Sequence, residues 1–98
     1  MSDFMFLMHN DLTAPEDKDA WGPWLGSLQA ADVFQGGSGM AGGVALRKAG
    51  MPGALSSHIS GFIRIEADDL EHATRLLAGN PVYEAGGTVE IRELPRDD

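Results

Sequence analysis

The chain has 98 residues, of which 43% are hydrophobic and none is a cysteine. This length fits one domain with a modest core, and the lack of cysteine excludes disulfides, thiolate nucleophiles and cysteine-ligated metals. Acidic residues outnumber basic residues by 15 to 7, which gives a net charge of −8. Because nucleic acids and anionic membranes bind through Lys and Arg, neither is an expected partner.

The first apolar run predicts a strand. Residues 4–8 are apolar at every position, which is typical of a strand buried on both faces. The run is too short for a signal core or a membrane span, and no basic group precedes it, so we expect a cytoplasmic protein. Polar residues end the strand at His9, Asn10 and Asp11.

The next segment predicts a turn and then a helix. Thr13 and Glu16 have the spacing of a capping box, but Pro23 would interrupt a helix that continued from them. We therefore expect a short turn, followed by the main helix at about residues 20–31. The apolar positions of this helix follow the i, i+3, i+4, i+7 pattern: Trp21, Trp24, Leu25 and Leu28.

Glycines crowd the segment from residue 36 to residue 50. Residues 37–42 match G-x-G-x-x-G, but a dinucleotide site needs a strand before the motif and a helix after it, and here the predicted order is reversed. We interpret these glycines as a loop or a bulged strand whose backbone amides can form one wall of a small-molecule cleft. Residues 44–48 then predict a strand with Val44 and Leu46 facing inward.

The second half of the chain gives the clearest pattern. Residues 59–66 alternate and predict a strand. Asp68 and Glu71 form a variant of the capping box that begins a helix, and Gly79 with Pro81 ends it. The side chains of this helix that should face inward are Leu70, Ala73, Leu76 and Leu77.

The chain then predicts one more strand, at residues 88–92, and a frayed tail at residues 96–98. The order β-α-β-β-α-β is the split βαβ, or ferredoxin-like, arrangement of an α+β protein, an antiparallel sheet with two helices on one face. Phe62 falls on the other, bare face, opposite Ile63 and Ile65. Because an exposed apolar sheet face usually marks an interface, we predict a homodimer with its sheets packed face to face.

Several segments of the sequence resemble the YCII-related family. They are Leu7-Met8-His9-Asn10-Asp11, Trp21-Gly22-Pro23-Trp24-Leu25 running into Gln35-Gly36-Gly37, residues 61–73, Asn80-Pro81-Val82-Tyr83 and Val89-Glu90-Ile91-Arg92. The resemblance covers nearly the whole chain. It implies one YCII-related domain over residues 1–98 and a ferredoxin-like dimeric α/β barrel.

The resemblance also bears on chemistry. One branch of this family includes a dehydrochlorinase of a chlorinated hydroxyquinol, with a proposed acid–base pair of a histidine at the start of helix one and an aspartate after helix two. The corresponding positions here hold Trp21 and Asn80, and neither exchanges a proton near neutral pH. A second branch carries Asp-Gly-Pro-Phe in the middle loop, where this chain has only Gly50-Met51-Pro52-Gly53.

His9 and Asp11 are the predicted catalytic residues. They lie where strand one leaves the sheet, and their spacing lets a carboxylate orient an imidazole. The alternative is a turn histidine beside a turn aspartate. Trp21 and Trp24 are core residues or, if one rings the mouth of a cleft, a stacking surface for a flat aromatic ligand.

The remaining polar candidates give weaker signals. His58 follows Ser56 and Ser57, but no nucleophile-elbow sequence accompanies them, so a hydrolase triad is not expected. His58 and Asn80 join the two tryptophans as predicted ligand-binding residues. No two histidines have the spacing of a local ligand pair, so the sequence predicts no metal site and no cofactor.

Two functional hypotheses remain. The first is a YCII-related protein that handles a small polar or aromatic molecule in a cleft near the end of strand one. The alternative is a non-catalytic dimeric binding or regulatory module, which the absence of the family's proton-transfer pair favours. A closed cleft that reaches His9 would favour the first hypothesis, and a filled interior would favour the second.

Overall fold

The computed structural model describes residues 1–96. Its elements are β1 (Ser2–His9), a 3-10 turn (Lys18–Ala20), α1 (Trp21–Ala30), β2 (Phe34–Gly39), β3 (Ile59–Ala67), α2 (Leu70–Leu76), α3 (Pro81–Glu84) and β4 (Val89–Leu94). The strands form one antiparallel sheet in the order β2-β3-β1-β4. This is an α+β arrangement consistent with the predicted ferredoxin-like fold. Within the described residues, no helix is long and apolar enough to span a bilayer.

The core lies between the helices and one face of the sheet. Alternate residues of β1 are buried, while Met5 and Leu7 between them are only half-buried, because successive side chains of a strand point to opposite faces. The expectation that this strand is buried on both faces therefore holds for one face only. The buried side chains that join the sheet to the helices are Phe4, Phe6, Met8, Ile63, Ile65, Trp24, Leu28 and Ala73.

The second strand lies earlier than the sequence predicted. It occupies Phe34–Gly39, within the glycine-rich segment, while residues 44–48 form no strand. Gly37 allows this segment to pair with β3, because a Cβ atom at this position would collide with the backbone oxygen of Phe62 on β3. The glycines thus allow two backbones to approach closely, a packing role that a count of turn-forming residues does not reveal.

Residues 40–58, which we call the arm, connect β2 to β3 without a helix or a strand. The large apolar side chains of the arm are exposed: Met40, Val44, Leu46, Met51 and Leu55. The radius of gyration is 14.9 Å, whereas a compact domain of this length has about 13 Å. An arm that projects from the sheet accounts for the difference.

The helix ends differ from the predicted ones in several details. Asp69, not Asp68, caps α2, and its Oδ1 accepts a hydrogen bond from the backbone N–H of His72 at 2.8 Å. Leu70, expected to face inward, is 56% exposed, whereas Ala73 is buried as predicted. Gly79 has a φ of +92°, the left-handed conformation expected of a helix stop.

The predicted capping box before α1 does not form. Thr13 Oγ1 donates to the carbonyl oxygen of Ala85, and the carboxylate of Glu16 accepts a hydrogen bond from the Trp21 side chain. The first helix itself, Trp21–Ala30, matches the expected range. The Thr13 contact ties the segment before α1 to a distant part of the chain, and the Glu16 contact ties it to the first residue of α1.

The predicted frayed tail is ordered at its first residue. The Arg96 guanidinium donates to both carboxylate oxygens of Asp3, at 2.8 and 2.9 Å, and to Glu66 Oε2 at 3.2 Å. Two-pronged contacts of this kind hold a guanidinium in one orientation. The rest of the predicted tail, residues 97–98, lies outside the described residues.

Candidate functional site

The end of β1 places His9 beside Glu90 on the open face of the sheet. Leu7 pairs with Glu90 across the β1–β4 ladder, so alternation brings both Glu90 and His9 to the face opposite Met8. His9 Nε2 lies 2.7 Å from Glu90 Oε2. The hydrogen bond to His9 is the main reason that the pKa of Glu90 is lowered, and the neighbouring Arg92 lowers it further. A carboxylate that orients an imidazole is therefore present, as predicted, but it belongs to Glu90.

Asp11, the predicted partner of His9, contacts Thr88 instead. Its Oδ1 accepts a hydrogen bond from the Thr88 backbone N–H at 2.8 Å, and its Oδ2 accepts one from the Thr88 hydroxyl at 2.7 Å. These two hydrogen bonds, the backbone one first, hold the pKa of the Asp11 carboxyl below its usual range. Asp11 thus fixes the start of β4, two residues before Glu90.

His58 approaches the same point from the arm. Its ring meets the ring of His9 edge-on, with centroids 4.8 Å apart and an angle of 81° between the planes. Asn10 holds the arm in place, since its backbone N–H donates to the His58 carbonyl at 2.9 Å and its side chain donates to the Ser57 carbonyl at 2.8 Å. The structure therefore joins two predicted site residues, His9 and His58, with a third that sequence reasoning missed, Glu90.

A separate cavity of about 450 Å³ opens on the helix-covered side of the sheet. Trp21 and Leu25 of α1 line one side, and Phe34 and Ile63 extend the apolar lining on the sheet. The residues that add backbone or polar groups to the lining are Gly37, Ser38, Gly39, Ser60, Gly61 and Glu16. The glycine-rich segment thus forms a wall of a cleft, as the sequence suggested, and it does so as a strand.

The cavity reaches the end of β1 at Met8, and its lining does not include His9. Met8 and His9 are neighbours in the chain, but their side chains leave the strand on opposite faces. A cavity therefore lies near the end of strand one, while the predicted catalytic histidine lies on the other side of the sheet.

The two tryptophans differ in burial, and one of them, Trp21, lines the cavity. Trp24 is a core residue with 4% exposure, and its Nε1 donates to the Leu76 carbonyl at 3.1 Å. Trp21 is half-buried at the cavity, where its Nε1 donates to Glu16 Oε2 at 2.7 Å. The rings pack edge to face with centroids 5.8 Å apart, so the buried tryptophan supports the exposed one.

Asn80, a predicted ligand-binding residue, is fully buried and caps α3. Its Oδ1 accepts hydrogen bonds from the backbone N–H groups of Val82 and Tyr83, both at 3.0 Å. Its Nδ2 has no hydrogen-bond partner among residues 1–96. The cavity lining does not include Asn80, so the observed role of this residue is local and structural.

Comparisons with known proteins found no match: no protein-family model, no curated protein and no solved structure is similar to this chain. The resemblance to the YCII-related family therefore stays a prediction. Fold similarity would in any case leave the reaction open, because function depends on the site.

Proposed function

We propose that this protein is a YCII-related binding protein for a small, uncharged aromatic molecule, and that the cavity beside α1 is the binding site. The supporting observation is the cavity itself, whose volume of about 450 Å³ falls in the range of about 300–1,000 Å³ that small-molecule sites occupy. An open space of this size beside the core favours ligand binding over a purely structural module.

The residues that line the cavity indicate an aromatic ligand. The Trp21 ring is held in place by its hydrogen bond to Glu16 and by its edge-on contact with Trp24, so it offers a fixed surface for stacking. Across the cavity, glycines of β2 and β3 expose a flat strand backbone that a planar ligand can approach.

The polar groups of the cavity lining indicate an uncharged ligand. The Ser38 hydroxyl donates to the Gly39 carbonyl and the Ser60 hydroxyl donates to the Met8 carbonyl, so both hydroxyl protons are already used within the protein. The Glu16 carboxylate is the acidic group of the lining, and it repels a ligand carboxylate. Phenols, quinols and indoles fit these conditions better than aromatic acids do.

A thermal-shift comparison of phenol or indole with benzoate tests the proposal. A ligand that binds only the folded state stabilises it, by about 2.7 kcal/mol at a concentration 100 times the Kd, so we expect the neutral ligands to raise the Tm more than benzoate does. Gly39→Val should abolish the shift. A Cβ at Gly39 meets only the Ser60 oxygen, at 3.9 Å, so the added side chain fills cavity space without striking the backbone.

Gly43→Val is the matched control, since Gly43 lies in the arm with nothing within 4 Å of an added Cβ. It should leave the ligand shift unchanged. His9→Ala should leave it unchanged as well, because His9 lies outside the cavity lining. Equal shifts in the wild-type protein and in Gly39→Val would contradict the proposal.

A second observation supports self-association, which both functional hypotheses share. The open face carries Met5, Leu7 and Phe62, all only half-buried, and the arm exposes Leu46 at 87% and Met51 at 84%. Apolar surface of this extent favours a partner. We infer that two copies associate through the open sheet face, as in a dimeric α/β barrel.

Sedimentation velocity of the wild-type protein and of Phe62→Glu tests the dimer. We expect a dimer at micromolar concentrations and a monomer for the variant, because a carboxylate buried in an apolar interface is strongly unfavourable. Tyr83→Glu is the control, since Tyr83 is a 50% exposed aromatic residue on α3, away from the open face. A monomeric wild-type protein would contradict the interface.

A further inference from the structure

Three side chains that can coordinate a metal ion lie close together at the end of β1, outside the cavity. His9, His58 and Glu90 each offer one nitrogen or oxygen atom, and these atoms all lie within 4.8 Å of one another. Zinc binds histidine nitrogen at about 2.0–2.1 Å and carboxylate oxygen at about 2.0–2.2 Å, so the ligand atoms around a tetrahedral ion lie about 3.3 Å apart. Small side-chain rotations would bring the three atoms to that spacing.

The backbone around these side chains is already fixed. The backbone N–H of His9 donates to the Thr88 carbonyl at 2.9 Å, which ties the end of β1 to the start of β4. Asn10 ties the same strand end to the His58 carbonyl. Backbone hydrogen bonds thus hold three segments that are far apart in the sequence close to one another. Side chains on a backbone that is already fixed lose little conformational entropy when they bind an ion.

From this geometry we propose that His9, His58 and Glu90 bind one Zn²⁺ ion on the open face of the sheet. The site does not depend on the proposed aromatic ligand, since the cavity lining includes none of the three residues. The sequence predicted no metal site because the three ligands come from β1, the arm and β4, and no local spacing connects them.

The donor set selects the type of ion. Two imidazoles and one carboxylate suit Zn²⁺ and similar divalent transition metals, whereas Ca²⁺ and Mg²⁺ prefer sites made of oxygen atoms. Three protein ligands leave a fourth position of a tetrahedral ion for water or another ligand. His58 is exposed, so this fourth position opens towards solvent in the single chain.

One neighbouring charge competes with the ion. Arg92 Nη1 lies 3.5 Å from Glu90 Oε1, while the other carboxylate oxygen, Oε2, faces His9. The arginine therefore occupies the oxygen that the ion does not need. An ion at the site takes the place of the proton between His9 Nε2 and Glu90 Oε2. The neutral ring then carries its one proton on Nδ1, any second ring proton is released to solvent, and the hydrogen bond is replaced by one metal–nitrogen and one metal–oxygen bond.

Calorimetric titration of tag-free, chelator-stripped protein with Zn²⁺ tests the site, together with the visible spectrum of the Co²⁺-loaded protein. We expect one ion per chain and a cobalt spectrum of low coordination number with nitrogen ligands. His58→Ala should weaken binding by about tenfold or more, and it should leave the fold intact because His58 is exposed. Glu90→Gln should weaken it similarly, while keeping a hydrogen-bonding group beside His9.

His72→Ala is the matched control, because this histidine lies on α2 next to Asp68, away from the cluster. It should bind Zn²⁺ as the wild-type protein does, and circular dichroism should show the same fold for all variants. Equal Zn²⁺ affinity in the wild-type protein, His58→Ala and Glu90→Gln would overturn the site. The absence of Zn²⁺ binding at millimolar metal would overturn it too, whatever the result of the aromatic-ligand screen.

Discussion

The two strand–helix–strand units of the sheet begin their helices in different ways. In the first unit, β1–α1–β2, the helix follows Ala20 without a side-chain cap. In the second unit, β3–α2–α3–β4, Asp69 caps α2 and Asn80 caps α3. Side-chain caps are each worth about 1 kcal/mol, so both helices of the second unit carry a local stabilisation of their own. In the first unit the side-chain cap lies one turn earlier, where Asp17 accepts a hydrogen bond from the backbone N–H of Asp19 in the 3-10 turn before α1.

The first unit is held by its packing instead. Trp24 and Leu28 of α1 are buried in the core at 4% and 1% exposure, and β2 packs closely on β3 because Gly37 has no side chain. Most of the cavity lining comes from this same unit, and residues of β3 with Val82 of α3 complete it. The part of the chain with the weaker local signals thus supplies most of the cavity lining.

The largest expected effect is the loss of that packing. Leu28→Ala should lower the free energy of unfolding by about 2–5 kcal/mol, since it leaves a cavity in the core. Urea denaturation measures the change. Leu70→Ala on α2 is the matched control, because Leu70 is 56% exposed and its truncation should cost less than about 0.5 kcal/mol. Similar costs for the two variants would show that packing does not hold α1.

Smaller effects, of opposite sign to each other, are expected at Gly26 within α1 and at Gly79 between α2 and α3. Gly26 lies inside α1 with nothing within 4 Å of an added Cβ, so Gly26→Ala should stabilise the protein by about 0.5–1 kcal/mol. Gly79→Ala should instead destabilise it, because Gly79 has a φ of +92° and an added Cβ would press on Trp24 at 3.3 Å. Thermal denaturation of both variants measures these changes in stability. A loss of stability in Gly26→Ala would contradict the expectation that Gly26 weakens α1.

The smallest expected effect is at the ion pair that joins the units. Arg96 bridges Asp3 of β1 and Glu66 of β3, and its hydrogen bond is the main reason that the pKa of Asp3 lies below the ordinary value of 3.8. A lowered folded pKa stabilises the protein above the unfolded pKa, and this contribution is lost as the pH falls through the folded pKa.

Asp3→Asn should therefore have a lower Tm than the wild-type protein at about pH 6, and the difference should shrink below about pH 3.8. Added salt should also reduce the difference, because these groups are solvent-exposed. Asp19→Asn serves as a control for the loss of one surface carboxylate outside this cluster. A Tm difference that stays constant across this pH range would show that the pair does not contribute through its charge.

The sequence predicted the second unit more accurately than the first. Gly79 and the alternation of β3 were identified because their signals are local, a helix stop and a period of two. The strand at Phe34–Gly39 was missed because its glycines look like loop residues until β3 lies beside them. The wrong expectation for residues 44–48 came from the same cause, since short apolar alternation also occurs in exposed segments.

The candidate site was predictable in part. His9 stood out because it follows a buried strand, and Trp21 because it begins an apolar helix stripe. Glu90 could not be assigned, since 81 positions separate it from His9 and only the pairing of β1 with β4 brings the two together. Asp11 was assigned to the wrong partner because sequence proximity suggested His9, while in the folded chain Thr88 donates two hydrogen bonds to the Asp11 carboxylate.

The central position of β1 has a consequence for the order in which the molecule assembles. β1 pairs with β3 and β4, so that Phe4 lies opposite Ile65 on one side and Glu93 on the other. Because β1 precedes both partners in the chain, it is synthesised before them, and its apolar residues stay uncovered until β3 and β4 have been made. The sheet can therefore close only after β4 has been made, and pairing between strands so distant in the sequence is expected to slow its folding.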